Sequence, residues 1–181
     1  MNAAGIKSLV IGALTGKTDA GARVYSPRDW PTSEDMYPVI LVQTPFDVKN
    51  SLGRNVPQFT TVTTVRVSGR LQELDELEED NGAVKAEEAL EQLREQIERA
   101  VINSYELTRQ TQQFLQIRST IDISAGGEGH TAQLLMELDI EYYQGPEEFY
   151  PVETTPLEGI DITIAMPDGT TKPGATIDLP Q

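Results

Sequence analysis

The sequence predicts an α+β fold: a mostly antiparallel sheet with two main helices packed on one face, plus a C-terminal arm or small hairpin. Three observations predict it. The runs Phe59–Leu71 and Thr131–Tyr143 alternate apolar or β-branched residues with polar ones at period 2. Residues 83–103 repeat apolar residues at helical spacing behind an acidic face. Gly126-Gly127-Glu128-Gly129 joins two alternating runs, as in an antiparallel hairpin.

Taken in chain order, Ile6, Leu9, Val10, Ala13 and Leu14 predict an amphipathic helix over residues 4–15, with Gly16 as its stop. The rest of the chain is organised around the stretch RVYSPRDWPTSEDMYPVILVQT, residues 23–44. Val24-Tyr25 reads as a brief extended segment. A loop with the only Trp comes next, and the residues before its prolines are biased towards extended geometry. Val39–Val42, between Pro38 and Pro45, reads as a strand buried on both faces. Residues 46–57 are expected to be an exposed loop.

In the next strand Phe59, Thr61, Thr63, Val65, Val67 and Leu71 share one face. Thr60, Val62, Thr64, Arg66, Ser68 and Arg70 share the other, a polar side for water or a neighbouring subunit. An acidic turn, residues 73–82, leads to a helix over 83–103, with Val84, Leu90, Leu93, Ile97 and Val101 inward and Glu87, Glu88, Glu91, Glu95 and Glu98 outward. Phe114–Ile123 places Leu115, Ile117, Ser119, Ile121 and Ile123 on one face. Thr131–Tyr143 turns Leu134, Met136, Leu138, Ile140 and Tyr142 inward, and Leu135, Glu137, Asp139 and Glu141 outward. The main domain is therefore expected over residues 1–144. Residues 145–181, poor in apolar residues, are expected to form an arm or hairpin lying on a neighbour.

A formal charge of −15 and a pI near 4.3 exclude a phosphate-gripping surface and docking on anionic lipid. They suit DNA that slides past without sticking. With no cysteine, the chain has no disulfide, thiolate zinc site, iron–sulfur cluster or Cys nucleophile. The N-terminal apolar run is too short for a membrane span and is expected to belong to the fold.

The candidates for chemistry are few. His130 beside Glu128 is the only histidine, and any metal, acid/base or triad role has to use it. The bland reading is a hairpin-turn histidine. Glu137, Asp139 and Glu141 share a strand face, which allows a divalent cation site, paired carboxylates, a solvated outer face, or the lining of a pore. Neither GALTGK nor GGEG has the spacing of a phosphate loop. Trp30 and Tyr37 flank the proline loop, either packing over the end of the core or anchoring an interface. Arg66 and Arg70, on the polar strand face, are further interface candidates. No catalytic, cofactor or metal constellation is expected.

The order of elements resembles the tail terminator proteins of long-tailed bacteriophages, also called minor tail or tail-completion proteins. Arg23-Val24-Tyr25 matches the "R-V-Y/F" step after the first helix. Tyr37-Pro38-Val39-Ile40-Leu41-Val42 matches the "L/Y-P-A/V-I-x-V" strand. The resemblance spans roughly residues 5–143. It implies a non-enzymatic virion protein, assembled in the host cytoplasm, that forms a ring, usually of six subunits, at the head-proximal end of the tail tube. Such a ring ends tube growth, joins the tail to head–tail connector or neck proteins, and lets DNA pass through its lumen. It implies no cofactor and no membrane. Glu137, Asp139 and Glu141 would then face the lumen or a partner. The alternatives are another neck or head–tail connector protein, a monomeric α+β adaptor, or a hydrolase using those carboxylates or His130.

Overall fold

The computed structural model describes residues 1–27, 36–54, 57–74, 82–126, 129–150, 159–169 and 171–178. Helix α1 (Ala3–Leu14) starts where the Asn2 side chain accepts a 2.9 Å hydrogen bond from the Gly5 N–H. It ends at Thr15, and Gly16 comes next with φ 71°, a backbone region that glycine enters without steric cost. Ile6, Val10 and Leu14 are its buried stripe.

Strand β1 (Val24–Tyr25) pairs in parallel with β2 (Val39–Ser51), and β2 runs antiparallel to β3 (Phe59–Leu74). Helix α2 (Gly82–Ile102) and the single turn α3 (Tyr105–Thr108) lead to β4 (Gln113–Gly126) and β5 (Gly129–Gln144). The sheet order is β1-β2-β3-β5-β4, antiparallel apart from the β1–β2 pair. The two motif-bearing ends of the 23–44 stretch are thus neighbours: Val24 lies opposite Ile40 and Tyr25 opposite Leu41. Arg23 reinforces the joint, its carbonyl accepting from the Ile40 N–H and its Nε donating to the Pro38 carbonyl, both at 2.9 Å.

Helices α1 and α2 pack on one face of the sheet. From α2, Ala86, Leu90, Leu93, Ile97 and Val101 press on the inner residues of β3 and β5. Leu90, Leu93, Ile97 and Val101 each contribute about 1.5–3 kcal/mol on burial, far more than helix propensity does. The inner face turns polar at one end. Thr61, Thr63 and Gln144 are buried there. The Gln144 Oε1 accepts from Thr61 Oγ1 at 2.8 Å and from Lys49 Nζ at 2.5 Å, while its Nε2 donates to the Met1 carbonyl at 2.7 Å. Thr63 and Tyr142 share a hydroxyl–hydroxyl bond at 3.1 Å. The Met1 ammonium pairs with Glu148, in the 3-10 turn Pro146–Glu148 after β5.

Three expectations change, and one element is new. Residues 46–51 are strand, because a bulge between Gln43 and Phe46 takes up Pro45, which has no N–H for the ladder. Val84 is exposed. At 100° per residue it lies far round the helix from the Ala86–Val101 stripe. Leu115 is exposed because a second bulge separates Phe114 from Gln116, and Phe114 takes the inward position instead. The turn α3, which buries Leu107, has too few residues for periodicity to reveal.

The first compact unit spans Met1–Phe149, closing where the Phe149 ring meets Phe59 edge-on at 5.4 Å. The second unit, Tyr150–Gln181, contains the antiparallel pair β6 (Gly159–Ala165) and β7 (Thr171–Asp178). Among the described residues no helix is long and apolar enough to cross a membrane.

Candidate assembly surface

With α1 and α2 on the inner face, the outer face of the sheet carries no helix among the described residues. The period-2 alternation of β3 and β5 decides which side chains stand on it. The register then decides which of them meet. Arg66 of β3 and Arg118 of β4 both lie opposite Glu137 of β5, so one rung across three strands reads Arg, Glu, Arg. Arg66 donates to Glu137 Oε1 from Nη2 at 2.8 Å and from Nε at 3.1 Å. Arg118 Nε donates to Oε2 at 2.9 Å. One rung away Thr64 donates to Asp139 Oδ1 at 2.5 Å, and Arg118 Nη2 lies 3.6 Å from Oδ2. Glu141 accepts from Gln113 at 3.1 Å.

The structure therefore joins two groups of residues that sequence reading kept apart. Arg66 is bound to Glu137 instead of standing free for a partner, and Glu137 and Asp139 are compensated instead of forming a bare acidic ladder. Chemically the cluster is a cross-strand staple in which both Glu137 oxygens are occupied. Among the described residues no three of His, Asp and Glu converge as metal ligands would. Arg70 stands further along the same face of β3, between Val39 and Gln133, with its buried Nε unbonded. Tyr37 is half-buried at the rim of a cavity of about 370 Å³ that Pro38, Leu71 and Leu93 also line. Trp30 and Glu128 lie outside the described residues. His130 sits in the β5 ladder opposite Ala125 and Glu73.

The hydrogen bond from Arg66, with that from Arg118 and both positive charges, holds the Glu137 carboxyl below its ordinary value of 4.5, against the opposing effect of burial. A depressed carboxylate pKa adds stability that is present above the unfolded value and lost as pH falls through the folded one. Above about pH 4.5 we expect Glu137→Gln to be less stable than the native chain by about 1 kcal/mol, since the guanidiniums are partly exposed. Melting curves from pH 7 to pH 3 should show the gap closing below pH 4.5. A gap that stays constant to pH 3 would contradict the staple.

Sequence reading missed the apolar end of this face. Phe46 and Val48 on β2, Val62 on β3 and Tyr143 on β5 are brought together by the register, with Val48 opposite Val62 and Phe46 opposite Thr64. Phe46 and Val48 are 53% and 52% exposed. The available signal was their i, i+2 spacing within a segment read as loop. No protein-family model and no curated protein matches the chain.

Proposed function

We propose that this chain is a structural subunit of a tailed bacteriophage. It builds a ring at the head-proximal end of the tail tube, ends tube growth there, and joins the tail to the head or neck. The observation that carries the reading is the outer sheet face. All packing of α1 and α2 is spent on one side, and the other presents a stapled polar centre and an exposed apolar end. Such a face suits repeated subunit contact better than a pocket for chemistry. The pairing of the Arg23–Tyr25 and Tyr37–Val42 segments as adjacent strands also supports the resemblance, because the two motifs become one feature of the fold. A charge of −15 per subunit, repeated around a ring, makes a channel that DNA crosses without adhering.

Light scattering with negative-stain imaging tests the reading. A closed ring of about six copies with a central hole is expected, alone or on tail tubes. A monomer that neither closes nor caps added tubes overturns it. A second reading, a monomeric adaptor, has one observation in its favour: a groove of about 630 Å³ between α1 and α2, with Leu9, Ala13 and Ala100 on its floor and Lys17 and Arg99 at its edge. It predicts a stable monomer with a single heterologous partner.

A further inference from the structure

The β6–β7 hairpin presents an exposed apolar face. Ile160, Ile162 and Ile164 alternate along β6, and the register sets Ile177 opposite Ile160. All four are between 44% and 53% exposed. Among the described residues this unit contributes nothing to the buried core. A lone two-stranded hairpin is marginally stable in water and needs a surface beneath it. We propose that this isoleucine face docks on the apolar end of the outer sheet face, around Phe46 and Val48, of a second copy of this chain.

Three features favour that occupant. The seat has the right chemistry and is exposed on every copy. It also suits the charge of the arm. Residues 150–181 carry five carboxylates against one lysine, so the glutamate-rich outer side of α2 repels them. On that face the guanidiniums of Arg66 and Arg118 offset the charge of Glu137 and Asp139, which leaves Glu141, hydrogen-bonded to Gln113, as the one uncompensated carboxylate of the β5 row. Finally, donor and seat are different surfaces of one sequence, so each copy seats its neighbour's arm and offers its own, the heterologous contact from which rings close.

The inference rests on the ring reading, and cross-linking separates the two. Because the full chain has no cysteine, single thiols report cleanly. One copy carrying Val48→Cys and a differently tagged copy carrying Ile162→Cys are mixed and treated with a short bis-maleimide. A link between the two tags is expected at about ten times the yield of a control pair with Ile102→Cys, an exposed apolar position on α2, in place of Val48→Cys. A yield no higher than the control overturns the proposal. So does a link that forms only within one chain carrying both Val48→Cys and Ile162→Cys. If rings form without the tagged link, docking of the arm fails and the ring reading stands. If mass and images show no ring on or off tubes, the ring reading itself has failed.

Discussion

Leu93→Ala will destabilise the chain by about 2–5 kcal/mol, read as a lower urea midpoint by circular dichroism. Leu93 is 2% exposed and belongs to the buried stripe of α2. Opposite it β3 has Gly69, not a side chain: a Cβ built there would stand 2.7 Å from Leu93 Cδ2 and 3.6 Å from the Leu134 Cβ. Leu93 therefore fills the space that Gly69 leaves, and truncating it opens a void that the β3–β5 ladder prevents from collapsing. The same geometry makes Gly69→Ala unfavourable by about 1–3 kcal/mol, although alanine normally suits a strand better than glycine. Combined, the two substitutions should cost less than their sum, because the new methyl enters the vacated space. Strict additivity would mean that Leu93 and Gly69 do not pack as described.

Gln144→Met will cost about 1–3 kcal/mol despite introducing an apolar side chain. Gln144 is the hub of the polar end of the core, and Thr61 beside it is fully buried. Without the amide, the buried Thr61 hydroxyl loses its partner away from water and the partly buried Met1 carbonyl loses its donor, whereas Lys49 keeps Asp47 at 3.0 Å and reaches solvent. Thr61→Val added to Gln144→Met should recover the part of the loss that comes from the stranded Thr61 hydroxyl, since removing both partners is cheaper than stranding one. A double variant as unstable as the sum of the singles would show that the network does not hold this end.

The alternation on β5 was legible because both neighbours of that strand are strands and one of its faces is covered throughout. β4 was legible only in part. It is an edge strand, and its bulge at Leu115 leaves no mark in composition. Pro45 misled in the opposite way. A proline read as a strand end sits in a bulge, so Phe46 and Val48 were assigned to a loop while they stand on the outer face of the sheet. Of the candidate residues, the faces of Arg66, Glu137 and Asp139 were predicted from parity alone, but their mutual pairing was not.

Periodicity by itself determined the class of fold, the inward residues of β3 and β5, those of α2 apart from Val84, the hairpin after α2, and a C-terminal piece of different character. Each of these is a local property, set by the 2.0 and 3.6 residue repeats that put side chains on a face. The tertiary structure alone decided that Glu137 sits between two arginines, that Leu93 answers Gly69, and that Phe46, Val48 and Tyr143 form one patch. Register and crossing points belong to pairs of elements distant in sequence, and a single residue's repeat carries no record of its partner.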